Sequence, residues 1–178
     1  MRNRDRWLAA VLAIAFALAL LVPVWAATRL APAGTTFAGF LLNPIDGFSY
    51  LAKMRQGWEG SWSFQLPYAP KPGAGAFLFT YYLLLGHVAR LLGASLVVTL
   101  HAARTVAAAA MFFACYRFLE EFIADRASRW AAYALCLIGA GWGWLGIPFG
   151  FVASDLSIPE TTPFLSAHAN AHFPLATA

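Results

Sequence analysis

The stretch WLAAVLAIAFALALLVPVWAAT, residues 7–28, carries no charged side chain. At about 1.5 Å of rise per residue, a helix of this length crosses a hydrocarbon core of about 30 Å. Arg2, Arg4 and Arg6 precede it, which predicts a cytoplasmic N-terminus. The alternative is a signal peptide cleaved after small residues near Ala26. The run is long for such a peptide and more apolar segments follow, so we expect a retained anchor.

The composition of the whole chain is that of a multi-pass membrane protein. Of its 178 residues, 61% are hydrophobic and 11% are charged, whereas soluble domains average about 25% charged residues. The net charge of +4 is scattered over short loops, so we do not expect nucleic-acid binding. Cys115 and Cys136 both lie within apolar runs, which favours buried thiols over a disulfide framework or a metal site. We expect the chain in the cell membrane, most naturally a bacterial cytoplasmic membrane.

Two further segments, residues 96–119 and 130–147, also have the length of a span. The first contains His101 and Arg104. An arginine at the centre of a lipid-facing helix costs about 2.5–3.5 kcal/mol, so Arg104 is expected near the surface or facing a wet cavity. The second ends in GWGWLG, and Trp142 and Trp144 suit an interfacial aromatic belt. The sequence predicts an all-α integral membrane protein with three to four spans in a single membrane domain, residues 1–178.

The long loop of residues 29–95 is expected to hold two helices that lie along the membrane surface. In the first, residues 46–56, a single helical face carries Asp46, Tyr50, Lys53 and Gly57, spaced at i, i+4, i+7 and i+11. The second, residues 76–92, is apolar and short. It is either a second surface helix or an additional span.

These two alternatives give different topologies. If residues 76–92 lie on the surface, the loop of residues 29–95 and the tail of residues 148–178 share the outer face. Arg117, Arg126 and Arg129 then fall inside, as the positive-inside rule prefers. If residues 76–92 span, the two loops fall on opposite faces and these arginines lie outside. We favour the first topology.

The favoured topology brings functional groups together at the outer face. They are Asp46, Lys71, His101, Arg104, Asp155, Glu160, His168 and His172. A carboxylate can take a proton from an attacking hydroxyl, and lysine and arginine can hold a phosphate leaving group. For Asp46 the alternative role is the N-cap of the following helix. For Lys71 and Arg104 it is snorkelling at the interface.

The motif HANAH places His168 and His172 at i and i+4. If this segment is helical, both imidazoles lie on one face, a spacing that can bind a divalent metal. Asp155 and Glu160 are candidate second acids of the site, and solvated loop charges are the alternative.

The order of these elements resembles the N-terminal part of the C-type membrane glycosyltransferase superfamily. The closest patterns are the protein O-mannosyltransferases and the bacterial lipid A aminoarabinose transferase. The matching elements are Asp46, Tyr50, Met54, Gly57, Gly60–Trp62, Lys71–Pro72, Tyr81–Tyr82, Leu92–Gly93 and Ala103–Arg104. Where that family has an Asp-Glu pair, this chain has Asp46 and Gly47, and Lys71 is followed by one proline rather than two.

The resemblance implies transfer of a sugar from a polyprenyl-phosphate donor at the outer face of the membrane. Asp46 would be the catalytic base, and the substrate-binding residues would be Tyr50, Lys71, Arg104, Asp155 and Glu160. The implied partners are the lipid-linked sugar donor and membrane lipids, and the resemblance permits a divalent metal near the site.

Two other functions are compatible with the sequence. The chain ends in HFPLATA, which reads as the start of another span, and related enzymes have many more spans. We therefore expect a truncated gene product or a fragment that is not active by itself. A non-catalytic membrane protein, such as a transporter fragment or an assembly subunit, is the other alternative.

Overall fold

A computed structural model describes residues 2–139 and 141–178, and over these residues the regular elements are helices. The α-helices are α1 (Arg2–Ala19), α2 (Val22–Leu30), α3 (Pro44–Trp58), α4 (Thr80–Leu92), α5 (Leu96–Phe122), α6 (Arg126–Ile138), α7 (Ser154–Ser157), α8 (Pro163–Ala169) and α9 (His172–Thr177). Short 3-10 helices cover Gly143–Phe149 and Pro159–Thr161. The described strand pairing is one isolated bridge between Phe64 and Ala76. The all-α prediction is therefore confirmed for the part of the chain that the structure describes.

The described residues contain two helical stretches long and apolar enough to cross a membrane, Asn3–Leu30 and Leu96–Phe122. The pair Arg126–Ile138 and Gly143–Phe149 is bent by 41° and makes a third if it is one span. These stretches correspond to the predicted spans at residues 7–28, 96–119 and 130–147. Their length and composition are compatible with a membrane protein, while insertion and orientation stay predictions.

The first span is interrupted between α1 and α2 because of Pro23. Proline lacks the N–H that a helix needs and its ring clashes with the carbonyl four residues earlier, here that of Ala19, where α1 ends. The N–H of Leu21 donates to the oxygen of Leu18, three residues back. The N–H of Trp25 then bonds the oxygen of Leu21 and restores the helical ladder.

The second surface helix is shorter than predicted. Residues 76–79 lie outside α4 because Ala76 pairs with Phe64 through two backbone hydrogen bonds of 2.8 and 3.0 Å. The helix stops at Gly93, whose φ of 61° suits the left-handed end of a helix. Its 13 residues extend about 20 Å, less than the roughly 30 Å of a hydrocarbon core. This length favours a surface helix over an additional span.

Contacts along the chain divide it into two compact units. One comprises Gly34–Ala103, and the other comprises Met1–Ala33 with Arg104–Ala178. The boundary falls inside α5. The single membrane domain stays a prediction.

In the second of these units, small residues on α1 form the buried face. Ala9, Ala13 and Ala17 are at most 1% exposed, and they recur every fourth residue, so they lie on one side of the helix. Small residues let helix backbones approach closely where no hydrophobic effect drives association. The hydroxyl of Tyr133 on α6 donates to the carbonyl of Ala9 at 3.1 Å, and Phe112 on α5 packs into the same cluster.

Ion pairs lie at the beginning of α1. Arg126 donates two hydrogen bonds of 2.9 Å to the carboxylate of Asp5, and Arg6 pairs with Glu120 at 2.8 Å. The side chains of Asp5 and Glu120 are only 5% and 2% exposed. Buried carboxylates need such partners, so these pairs tie the start of α1 to α5 and α6.

In the unit Gly34–Ala103, the backbones of α3 and α4 touch. A Cβ atom on Gly57 would lie 2.7 Å from the carbonyl carbon of Leu83, and one on Gly86 would lie 2.7 Å from the nitrogen of Trp58. Both separations are too short for van der Waals contact, so only glycine fits at these two positions. Met54 is fully buried between the helices.

We expect Gly57→Ala to destabilise this helix pair by about 1–3 kcal/mol, because the new methyl overlaps the backbone of α4. This cost exceeds the gain of about 0.5–1 kcal/mol that alanine brings to a helix interior. Gly73→Ala is the matched control, since a Cβ there meets nothing within 4 Å. Thermal unfolding of the purified protein in micelles measures both variants, and equal melting temperatures would contradict this packing.

Candidate functional site

Asp46 lies in the first turn of α3 and its side chain is exposed. The helix begins two residues earlier, at Pro44, and the N-cap is Asn43 with a φ of 46°. Asp46 is therefore not the N-cap, and that alternative is wrong, because proline is favoured at the first helical position and fixes an earlier start. A carboxylate in the first turn interacts favourably with the helix dipole. Its exposure leaves it accessible to a substrate.

Tyrosine rings lie beside this carboxylate. The rings of Tyr50 and Tyr82 stack with centroids 4.4 Å apart, and Tyr81 meets Tyr82 edge to face at 5.3 Å. Burial raises the pKa of Tyr82 far above its ordinary value, and the charges of Tyr50, Tyr81 and Asp46 raise it further. The phenol of Tyr82 therefore stays protonated, and the field of Asp46 reaches it.

Lys53 completes this face of α3, although it was not among the site residues predicted from the sequence. It is only 7% exposed. Its ammonium donates to the hydroxyl of Ser49 at 2.8 Å and lies over the rings of Phe79 and Tyr50, at 4.2 and 4.7 Å from their centroids. Desolvation lowers the pKa of Lys53, and the charge of Asp46 partly opposes that shift. Its spacing of seven residues from Asp46 was the signal that could have identified it.

The predicted cations belong to different units. Lys71 is exposed in the loop between α3 and α4, in the same unit as Asp46. Arg104 belongs to the other unit and is only 5% exposed. Its Nη1 donates to the carbonyl of His168, while its Nη2 is buried without a hydrogen-bond partner among the described residues. The Nε2 atom of His101 is 2.9 Å from the carbonyl oxygen of Gly39, so a backbone contact distant in the sequence holds its imidazole.

Asp155 and Glu160, the second pair of predicted acids, lie in different environments. The carboxylate of Asp155 accepts a hydrogen bond of 2.8 Å from the backbone of Gly143. Its other oxygen is buried without a partner in the part of the chain that the structure describes. A Cβ on Gly141 or Gly143 would overlap this carboxylate, so the GWG turn is shaped around it. Glu160 is exposed in the short helix Pro159–Thr161.

The two histidines of HANAH do not share a helix. α8 ends at Ala169, Asn170 is extended with φ −144° and ψ 154°, and α9 begins at His172. The segment is therefore not one continuous helix, and the two imidazoles do not share a helical face. Burial and the charge of Arg104 lower the pKa of His168, which favours its neutral form. Within the described residues, no group of three or more His, Cys, Asp or Glu could hold a metal ion, and the metal role stays a prediction.

The geometry thus forms one candidate site within the unit Gly34–Ala103. An exposed carboxylate, stacked phenols and a buried ammonium lie along one face of α3 against α4. No protein-family model, no curated protein and no solved structure matches the chain.

Replacing Lys53 is expected to change how stability depends on pH. Its folded-state pKa lies below the unfolded value of 10.5, so between these two values the unfolded chain binds more protons than the folded one. The free energy of unfolding of the wild type should therefore rise with pH in that window. Lys53→Met should lack this rise.

Denaturant unfolding at a series of pH values, ending above 10.5, measures this difference. Arg55→Met is the control, because it removes a cation from the exposed side of the same helix. Parallel stability profiles for wild type and Lys53→Met would contradict the buried ammonium.

Proposed function

We propose that this chain is part of a membrane glycosyltransferase that uses a polyprenyl-phosphate sugar at the outer face of the cytoplasmic membrane. The observation that carries the proposal is the position of Asp46. Its carboxylate is exposed, does not cap the helix, and begins the face of α3 that continues with Tyr50 and Lys53. A general base must be accessible to the proton that it removes.

The chemistry is one displacement at the anomeric carbon. The acceptor hydroxyl oxygen forms a bond to this carbon, and the bond from the carbon to the lipid phosphate oxygen breaks. The hydroxyl proton passes to the carboxylate of Asp46, and the electron pair of the broken bond leaves on the phosphate. The configuration inverts, through a transition state with oxocarbenium character.

The cations have the role of stabilising the leaving phosphate. Lys71 is exposed in the loop after α3, so it retains donors for phosphate oxygens, and the resemblance implies the same role for Arg104. Donors positioned where charge develops in the transition state lower the barrier. Tyr50 would bind substrate beside Asp46, while the roles of Asp155 and Glu160 stay predictions of the resemblance.

Asp46→Asn is expected to reduce transfer by about 10²–10⁴-fold, the usual contribution of a general base. Membranes from cells expressing the gene would be incubated with a panel of polyprenyl-phosphate hexoses and pentoses, and released polyprenyl phosphate quantified by mass spectrometry. Glu59→Gln is the control, because Glu59 is an exposed acid at the other end of α3 that pairs with Arg55. Undiminished release from a normally expressed Asp46→Asn protein would exclude Asp46 as the base and favour a non-catalytic membrane protein.

The proposal also requires that the loop after α3 and the tail share the outer face. In a background with Cys115 and Cys136 replaced by alanine, we expect Ser61→Cys and Ser157→Cys to react with a membrane-impermeant maleimide in intact cells. Ser128→Cys, in the turn that begins α6, should react only after the membrane is opened. Labelling of Ser61→Cys and Ser157→Cys from opposite sides would contradict the predicted topology.

A further inference from the structure

A small pocket lies between α3 and the loop that precedes α4. Its volume is about 130 Å3, below the roughly 300–1,000 Å3 of pockets for drug-sized ligands, so it admits only a small group. The lining residues are Ser49, Lys53, Phe64, Leu66, Pro67, Tyr68 and Phe79. All of them belong to the unit Gly34–Ala103.

The outer wall of this pocket is held in place by hydrogen bonds. The side chain of Gln56 on α3 donates to the carbonyl of Gln65 at 2.8 Å and accepts from its N–H at 2.9 Å. The bridge from Phe64 to Ala76 fixes the adjacent residues, and the ring of Phe64 meets that of Phe79 edge to face at 5.0 Å. The pocket is therefore built by the fold rather than left by a loose loop.

The polar side chains that line this pocket are those of Lys53, Ser49 and Tyr68, and none of them is an acid. The ammonium of Lys53 directs its hydrogen bond to Ser49 rather than to a carboxylate, although the charge of Asp46 acts on it from a distance. Ser49 accepts that bond and keeps its own hydroxyl proton to donate. The remaining walls are aromatic or aliphatic, which leaves one buried positive charge facing an apolar space.

We infer that this pocket binds a small organic carboxylate, with its oxygens on Lys53 and Ser49 and its apolar body against the aromatic wall. A charge-assisted hydrogen bond between an ammonium and a carboxylate is about twice as strong as a neutral one. A monoanion matches the single positive charge, whereas a phosphate dianion would leave oxygens unsatisfied against apolar walls. This binding does not depend on the proposed transferase activity.

Isothermal titration of the protein in uncharged micelles tests the inference, with sodium benzoate as the probe. Benzamide is the neutral probe of the same shape. We expect benzoate to bind, benzamide to bind at least about tenfold more weakly, and Lys53→Met to weaken benzoate binding by about tenfold or more. Arg55→Met, which removes a charge from the exposed side of α3, should bind benzoate as the wild type does.

Two results of that titration would overturn the inference. One is the absence of benzoate binding to the wild type, and the other is equal binding by the wild type and a folded Lys53→Met protein. Sodium decanoate then identifies the source of the ligand. Tighter binding of decanoate that Lys53→Met still abolishes assigns the pocket to fatty acids from the bilayer, and weaker binding assigns it to water-soluble acids.

A second measurement needs no variant, and so it holds even if Lys53→Met does not fold. Lys53 and Lys71 are the two lysines of the chain, and mass spectrometry resolves acetylation at each after brief treatment with acetic anhydride. Benzoate should slow the acetylation of Lys53 and leave that of Lys71 unchanged. Equal rates at Lys53 with and without benzoate would overturn the inference.

Discussion

The contact between the backbones of α3 and α4 is the constraint on which the candidate site depends. Helices of 15 and 13 residues are marginal by themselves in water, so their order comes from packing. Gly57 and Gly86 remove the side chains that would hold the two backbones apart. The same approach stacks Tyr50 on Tyr82. The close packing against α4 of the face that carries Asp46, Tyr50 and Lys53 is thus a consequence of two missing side chains.

In the other unit, charged residues are buried at the ends of apolar helices. Asp5 and Glu120 are nearly buried, and a lone buried carboxylate would cost several kcal/mol. Arg126 and Arg6 offset this cost by pairing with them. Pairs at the helix ends leave the middle of α1 free for the small residues that pack against α5 and α6. In α1, therefore, the charged residues lie at the start of the helix and the small packing residues follow them.

The features that sequence could predict are those that depend on local pattern. Apolar runs of sufficient length indicated the long helices, and the spacing of Asp46, Tyr50 and Lys53 indicated a common face of α3. The boundaries failed in two places. The pairing of Ala76 with Phe64 shortened α4, and the extended Asn170 separated His168 from His172. Neither feature leaves a periodic signal.

The site itself was predictable only in part, for the same reason. The resemblance to membrane glycosyltransferases singled out Asp46 and Tyr50, and the structure places both at the start of one face of α3. It did not single out Lys53, because a lysine on a surface helix is expected to be solvated. The aromatic rings that pack on this lysine become evident only in the structure. Nor could the sequence show that Asp155 is held by the turn at Gly141 and Gly143.

Asp46 and Lys53 lie on one face of α3 yet have opposite environments, and this contrast argues for two separate roles. An exposed carboxylate keeps its hydration and remains accessible to an incoming hydroxyl. A buried ammonium loses part of its hydration, a loss that costs free energy and lowers the pKa of Lys53. Contacts with the rings of Phe79 and Tyr50 return about 0.5–2 kcal/mol each, and the hydrogen bond to Ser49 adds a little more. Methionine would fill the same space without that cost, so a bound anion gives the charge of Lys53 a physical reason to be there.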